Sequence, residues 1–308
     1  MLARIPRRVV HYSRLDPETT RGGVESFARN LRLSFDQVDM MTPATLDVAR
    51  VRADRLPVIC DNQMVLDWPR DIPLIGFRHG VAWRKVQVTR SLYDLGLAAR
   101  QLRAARRPKV TWVSCARWID AAFTRTAGGP GAGVIYHPVD LERFDGKLEN
   151  AGSRLLLHDA RSDHKGRRLI ERLARALPDY RFEPLACDSS QVPDRMRGAA
   201  AFLHLSRYEG NSIVCNEAMA MNLPCLFTRV GLMLDAGQSF DVQMIDPALA
   251  FGNPAALLQA TREFLASLAS RVYRPRAWVT EHASLDATRV AWTSCLDTFD
   301  RQSWATPA

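Results

Sequence analysis

The run of residues 206–224 constrains the fold of this chain more than any other, because a short apolar segment flanks it on each side. Residues 199–205 and 225–228 predict buried strands. Between them, a helix is expected to begin near Asn211 or Ser212, since both residue types cap helix N-termini. Asn222 tolerates the left-handed backbone that follows a helix, and Pro224 stops the helix from continuing. The run therefore predicts a strand, a helix and a second strand of an α/β sheet.

Two carboxylates lie on either side of the start of this helix. Glu209 falls in the turn before the helix, and Glu217 follows it after seven intervening residues. The N-terminus of a helix offers free N–H groups and the positive end of its dipole, so it binds anions such as a diphosphate. Carboxylates beside a bound diphosphate suit hydroxyl groups, which predicts contacts with a sugar and a ribose. The alternative is that both glutamates lie on a solvated helix face.

The pattern EG-N-S-I-V-x-x-EAMA-x-N-L-P, with a strand on each side, resembles the Glu-x7-Glu motif of the family-4-type retaining glycosyltransferases. This resemblance implies an α/β chain with the GT-B fold, in which two Rossmann-like domains face a central cleft. It also implies that Glu209 contacts the donor sugar and Glu217 the ribose. The backbone N–H groups of Asn211, Ser212 and Ile213 would then hold the phosphates.

A second motif opens the C-terminal half of the chain. A predicted strand at 154–158 is followed by Arg161, Lys165 and Gly166, and then by a helix from about 167 to 177. This order resembles the family pattern in which an arginine and a lysine clamp the donor pyrophosphate, a task that suits a planar fork and a point charge. Ala160 stands where the family has glycine, and the loop from Arg161 to Lys165 is one or two residues short. A basic turn without a ligand is the alternative.

The N-terminal half offers two candidates. Gly22-Gly23 follows the first predicted strand, at 7–12, and resembles a family loop near the donor phosphates and the acceptor, although an ordinary tight turn also explains it. The strand at 74–77 ends in Arg78-His79-Gly80. A polar residue at the carboxyl end of a parallel strand points towards the crevice that binds ligands. The family often has histidine there, near the reacting sugar, so His79 is a candidate catalytic residue; a structural histidine is the alternative.

The most basic part of the chain lies between Arg84 and Lys109. Apolar residues at helical spacing predict a basic amphipathic helix, which can dock on an anionic membrane. Relatives that glycosylate lipid-linked acceptors often use such a patch, and a solvated helix is the alternative. The basic residues of this segment are Arg84, Lys85, Arg90, Arg100, Arg103, Arg106, Arg107 and Lys109.

Residues 134–144 resemble the family's V-I-x-N-P-V-D-x-x-x-F run, which leads to the linker between domains, with His137 in place of the asparagine. We therefore predict an N-terminal acceptor domain at 1–147 and a nucleotide-sugar domain at 148–284. A final helix at 285–308 is expected to cross back to the first domain. Its predicted apolar stripe includes Val290, Trp292 and Phe299.

Composition sets the remaining limits. The chain has 308 residues, 47% of them apolar and 24% charged, as in ordinary globular proteins. No apolar run approaches the ~20 residues of a membrane span, and the first residues lack a signal-peptide core. Six scattered cysteines without a C-x-x-C pair indicate neither zinc nor a disulfide framework. We therefore expect a cytoplasmic protein, with a peripheral place at the inner membrane face if the basic helix docks.

These observations predict a retaining glycosyltransferase that moves a sugar from a nucleotide-sugar donor to a glycan or lipid-linked acceptor. The net charge of +9 favours a polyanionic partner. The chain lacks an Asp-x-Asp motif, so neither a metal nor another cofactor is implied. One alternative is a catalytically reduced scaffold that binds nucleotides or glycans for a partner enzyme. Another is a glycosyltransferase that acts on nucleic acid, although no helix-turn-helix or stacking-aromatic pattern supports nucleic-acid binding.

Overall fold

A computed structural model describes residues 2–14, 23–128, 131–235 and 237–303, excluding the side chains of 23–25 and 302–303. The chain divides into two compact units, one formed by residues 1–138 and 285–308 and the other by residues 139–284. The change from one unit to the other falls earlier than the boundary expected after residue 147. Within the described ranges, no helix is both long and apolar enough to cross a membrane.

The first unit contains a six-stranded parallel sheet with the strand order β2-β1-β3-β4-β5-β6. Its strands are β1 (Ile5–Tyr12), β2 (Phe35–Met41), β3 (Val58–Asp61), β4 (Leu74–Arg78), β5 (Val110–Ser114) and β6 (Gly133–Val134). Its helices are α1 (Gly23–Ser34), α2 (Val48–Asp54), α3 (Ala82–Thr89), α4 (Leu92–Ala105), α5 (Arg117–Phe123) and α12 (Leu285–Ser303). The strand order reverses between β1 and β3, and ligands of such sheets bind at this switch point.

The second unit contains a five-stranded parallel sheet with the order β11-β10-β9-β7-β8, so its switch point lies between β7 and β9. Its strands are β7 (Leu155–His158), β8 (Arg181–Pro184), β9 (Ala201–His204), β10 (Cys225–Thr228) and β11 (Gln243–Ile245). Its helices are α6 (Arg167–Ala176), α7 (Val192–Arg197), α8 (Ile213–Ala220), α9 (Pro247–Gly252), α10 (Pro254–Ser267) and α11 (Arg276–His282).

The helix expected after Asn211 is α8, and its ends follow the sequence. Ser212 is the N-cap residue, and Asn222 has the left-handed backbone that was predicted, with a φ of +59°. The central strands of this sheet, β7, β9 and β10, are short apolar runs because both faces of the sheet are covered. Leu156, Leu203 and Leu226 from these strands lie together in the core of the unit.

The basic segment departs from the prediction of one amphipathic helix. It forms two helices, α3 and α4, because Arg90 takes a left-handed backbone with a φ of +50° and Ser91 caps the second helix. Arg107 is buried rather than on the surface. Its guanidinium donates to the carbonyl groups of Val65, Trp68, Pro69 and Ile72, at 2.5, 2.7, 2.6 and 3.3 Å. Arg107 is therefore a structural residue and contributes no surface charge.

Helix α12 packs within the first unit, where the ring of Trp292 lies 5.5 Å from that of Phe35 and stacks on Phe77 at 5.7 Å. Trp292 and Phe299 are buried, as the predicted stripe requires. Val290 is 61% exposed, so its assignment to the stripe was wrong. The helical phase places Val290 on the face opposite Trp292, because two residues along a helix turn the side chain by about 200°.

Candidate functional site

Two loops meet at the switch point of the second unit. The loop after β7 contains Lys165 and Gly166, and the loop after β9 begins at Leu205. Gly166 has a φ of +82°, and a Cβ atom there would lie 2.1 Å from the carbonyl oxygen of Leu205, so only glycine fits. The carbonyl of His164 accepts hydrogen bonds from the backbone N–H of Arg207 at 2.8 Å and from the hydroxyl of Ser206 at 3.3 Å. These contacts fix the two loops to each other.

The two loops bring together four charged side chains, which we call the charged network: Asp159, Lys165, His204 and Glu209. Lys165 Nζ lies 2.9 Å from Glu209 Oε1 and 3.6 Å from Asp159 Oδ2. His204 Nδ1 lies 2.7 Å from Asp159 Oδ1, and His204 Nε2 lies 3.7 Å from Glu209 Oε1. Each cation of the network therefore lies between the two carboxylates.

Burial opposes the charged form of Asp159, His204 and Lys165, and neighbouring charges outweigh its effect on the pKa. Burial raises the pKa of Asp159, but the positive charge and hydrogen bond of His204 lower it, and the net pKa is about 2. Burial lowers the pKa of His204, but Asp159 raises it well above its ordinary value. Burial likewise lowers the pKa of Lys165, and Glu209 and Asp159 raise it overall. At neutral pH, Asp159 is thus ionised and both cations are charged.

Asp159, His204 and Glu209 also offer three ligand atoms within 4.8 Å of one another, a spacing that a metal ion can bridge. The ammonium of Lys165 pairs with both carboxylates of this group, at 2.9 Å from Glu209 and 3.6 Å from Asp159. A protein cation therefore already bridges the two carboxylates of this group.

Helix α8 begins at Ile213, four residues after Glu209. Asn211 is buried, and its Oδ1 accepts a hydrogen bond of 3.2 Å from Asn216 Nδ2. Ser212 caps the helix, and Ile213 is its first residue. Glu217, one turn further on, is half-buried. The structure therefore brings Glu209 and Lys165 together and places the predicted phosphate-binding residues in the same loop and helix.

Arg161 lies in the loop after β7, but it is exposed, and its guanidinium donates to the carbonyl of Leu185 at 3.4 Å. It is thus not part of the charged network in the described structure. Gly231, which carried no predicted role, packs against the site: with a φ of +59°, its Cβ would lie 2.8 Å from Glu209 Cβ. Any larger residue at position 231 would therefore push against Glu209.

The sequence reading missed Asp159 and His204. A signal was present, because both are polar residues at the carboxyl ends of neighbouring strands. The same rule selected His79 in the first unit.

The first unit has a related cluster at its own switch point, between β1 and β3. His11 Nε2 and His79 Nε2 lie 3.0 and 2.9 Å from the same atom, Asp61 Oδ1. The backbone N–H of His79 also donates to Asn62 Oδ1 at 2.9 Å. Burial raises the pKa of Asp61, but His11 and His79 lower it far below its ordinary range. Asp61 is therefore a carboxylate that orients His79.

His137, which replaces the asparagine of the resembled motif, stacks on His79 with ring centroids 5.5 Å apart and an angle of 16°. Burial lowers the pKa of His137 to about 3, so its ring is neutral. The ring of Phe27 meets His79 edge-on at 4.7 Å. Of the predicted glycine pair, Gly23 is the first residue of α1, and Gly22 lies outside the described residues.

Comparison with known proteins finds similarity only at the level of structure. No protein-family profile and no curated protein sequence matches the chain. Sucrose-phosphate synthase from Thermosynechococcus elongatus superposes with a TM-score of 0.72 and 14% identity, covering 96% of this chain and 99% of that one. A glycosyltransferase from Rickettsia africae superposes with a TM-score of 0.67 and 12% identity, covering 98% of this chain and 100% of that one. Anabaena HepE in complex with UDP and glucose superposes with a TM-score of 0.67 and 16% identity, covering 95% of this chain and 100% of that one.

At these identities the similarity establishes the fold and not the activity. Both units are parallel-sheet α/β domains, as predicted, and the match extends over nearly the whole of each compared chain. The chain has the GT-B fold.

Proposed function

We propose that this protein is a retaining glycosyltransferase that moves a sugar from a nucleotide-diphosphate-sugar donor to an acceptor hydroxyl, in the synthesis of a cell-surface glycan or glycolipid. The observation that carries the proposal is the 2.9 Å pair between Lys165 and Glu209 at the switch point of the second unit. This pair supports the proposal because an ammonium can bind phosphate oxygens and the carboxylate beside it can accept hydrogen bonds from sugar hydroxyls. The similar structure of HepE with UDP-glucose supports a nucleotide-sugar donor.

In this proposal the second unit holds the donor. Lys165 and Arg161 contact the diphosphate, together with the backbone N–H groups of Asn211, Ser212 and Ile213 at the start of α8. Arg161 leaves the carbonyl of Leu185 to do so, which its exposed side chain permits. Glu209 accepts hydrogen bonds from the sugar hydroxyls, and Glu217 from the ribose.

In this proposal the first unit binds the acceptor. Asp61 holds His79 Nε2, which leaves Nδ1 as the ring nitrogen for hydroxyl groups of the substrates. Gly22 and Gly23 provide a loop where a ligand approaches the backbone closely. The leaving phosphate takes the proton of the acceptor hydroxyl, and the new bond forms on the face from which the diphosphate departs, so the anomeric configuration is retained.

Charge stabilisation of the departing diphosphate comes from the protein itself in this scheme. Lys165, Arg161 and the helix N-terminus supply positive charge, so no divalent metal is required. We expect that a chelator such as EDTA will leave the transfer rate unchanged. A rate that falls with EDTA and recovers with Mg²⁺ would contradict this part of the proposal.

Turnover of variants tests the assignment. We expect Lys165→Ala and Glu209→Ala to fold and to lose sugar transfer from UDP-, GDP- or ADP-sugars. Arg168→Ala and Glu171→Ala are matched controls, because both residues are exposed on α6 near the same loop. Near wild-type rates from both site variants would refute the roles. The anomeric configuration of the product, read by NMR, tests retention separately.

We further propose a peripheral location at the cytoplasmic face of a membrane, with a lipid-linked acceptor, and the first turn of α4 supports docking on a membrane surface. Leu92, Tyr93 and Leu95 are 85%, 68% and 54% exposed, next to the exposed cation Arg90. Apolar side chains beside basic ones suit the surface of an anionic bilayer. We expect Leu92→Ser to weaken sedimentation with phosphatidylserine vesicles. Leu249→Ser, at an exposed leucine of the other unit, should leave it unchanged. Equal binding by both variants would refute membrane docking.

A catalytically reduced binding protein is the second candidate, favoured by the contact of Arg161 with a carbonyl instead of the charged network. Such a protein would bind nucleotide sugars and neither transfer nor hydrolyse them. A thermal-shift screen followed by turnover assays on the ligands that bind separates the two candidates.

A further inference from the structure

The charged network has an outer and an inner half. The side chains of Lys165 and Glu209 are 31% and 16% exposed, whereas those of His204 and Asp159 are 4% and 9% exposed. A ligand at the edge of the sheet therefore reaches Lys165 and Glu209 first. The function proposed above uses only this outer half and gives no task to the inner pair.

The outer half faces a conflict when a donor binds. In the described structure Lys165 Nζ neutralises Glu209 Oε1 at 2.9 Å and lies 3.6 Å from Asp159 Oδ2. The proposed function requires the same ammonium to turn to the diphosphate. Two carboxylates that lose the cation between them destabilise each other's ionised form. Glu209 would then lose its fixed position beside the sugar.

We infer that His204 is a second, resident cation, which holds Glu209 in place while Lys165 engages the diphosphate, and that Asp159 keeps His204 charged. His204 Nε2 is 3.7 Å from Glu209 Oε1, and the thiol of Cys215 is the other side chain beside this part of the ring. An approach of about 0.8 Å would bring the two atoms to the usual N–H···O distance. This inference rests on the proposed function and makes His204 and Asp159 positioning residues for Glu209.

The surroundings of the imidazole fit this role. The groups that carry or can carry charge beside it are Asp159, Glu209, Lys165 and the thiol of Cys215, in the first turn of α8. Asp159 binds His204 Nδ1 at 2.7 Å, which fixes the ring and leaves Nε2 directed at Glu209. The raised pKa of His204 agrees with an imidazolium that persists across the neutral range.

The test measures the affinity for UDP-glucose and the initial rate of transfer between pH 5.5 and 8.5, where the diphosphate diester does not change its charge. The wild type should vary little over this range. His204→Gln should bind UDP-glucose about tenfold more weakly at every pH, the size of one lost hydrogen bond to a charged group.

Asp159→Asn tests the inference through the pH dependence of the affinity, which a purely structural role of Asp159 would leave unchanged. Without this carboxylate, burial lowers the pKa of His204 and Glu209 is the carboxylate that remains beside the ring, so the ring is neutral at pH 8.5 and takes up a proton as the pH falls. We expect the affinity of this variant to be about tenfold below wild type at pH 8.5 and to recover as the pH falls. The double variant Asp159→Asn/His204→Gln should not recover, because no imidazole is left to protonate.

The control is His158→Gln, at a neighbouring buried histidine whose Nδ1 accepts from the backbone N–H of Ala160. It should keep the wild-type pH profile. Wild-type affinity in His204→Gln, or an Asp159→Asn variant whose affinity does not recover at low pH, would overturn the inference alone. A wild type that neither binds nor turns over UDP-, GDP- or ADP-sugars would overturn the proposed function, and this inference with it.

Discussion

Gly166→Ala is the substitution that tests most directly how the two loops of the second unit are held together. The new Cβ would lie 2.1 Å from the carbonyl oxygen of Leu205, whereas ordinary van der Waals contacts of a Cβ atom lie at 3.4–4 Å. The residue also has a φ of +82°, which costs an L-residue about 1–2 kcal/mol. Overpacking of a buried contact costs about 1–3 kcal/mol more. We therefore expect a loss of about 2–5 kcal/mol in the free energy of unfolding.

Gly152→Ala is the matched control. Gly152 has a similar left-handed backbone, with a φ of +70°, but a Cβ atom there would meet nothing within 4 Å. This variant should lose only the backbone part, about 1–2 kcal/mol. The difference between the two variants isolates the contact with Leu205.

Urea unfolding of both variants gives the two free energies, and peptide-resolved hydrogen exchange locates the change. Gly166→Ala should raise exchange in the loops after β7 and β9, and it should weaken donor binding because Lys165 precedes the strained residue. Equal losses in the two variants, or unchanged exchange at these loops in Gly166→Ala, would refute the reasoning.

Three further predictions follow from buried groups. The pKa of Asp159 is about 2 in the folded protein and near 4 in the unfolded chain. The ionised carboxylate therefore adds about 2 kcal/mol to the free energy of unfolding above pH 4, and this contribution disappears as the pH falls to 2. Asp159→Asn should lack this part of the acid-induced loss of stability, as measured by urea unfolding at each pH. Trp292→Ala should lower the free energy of unfolding by about 3–5 kcal/mol because Trp292 is buried, and Val290→Ser should lower it by less than about 0.5 kcal/mol because Val290 is exposed. Comparable losses of the two variants in thermal unfolding would contradict the packing of α12. Arg107→Ala should lower the free energy of unfolding by at least about 2 kcal/mol, because the buried carbonyl groups lose their hydrogen-bond donor. Arg106 is exposed and serves as the control. A similar loss in Arg106→Ala would show that the positive charge, and not these hydrogen bonds, is responsible.

The order of strands and helices could be predicted from local patterns because those patterns are short. Apolar runs flanked by turn residues located the strands, and Asn222 and Pro224 located the end of α8. The pattern failed where a few residues change the backbone. Arg90 gave no sign of its left-handed conformation, so one helix was expected where the chain forms two.

The sequence determined where Lys165 and Glu209 would lie, each in a turn between a strand and a helix, because such turns depend on neighbouring residues. Only the tertiary structure decided that Asp159 and His204 complete the charged network, since they are 45 residues apart along the chain and meet through the pairing of β7 with β9. Burial of Arg107 and exposure of Val290 were likewise set by packing. Local sequence fixes the conformation of a segment, whereas the strand order brings distant charged groups together and so determines their protonation.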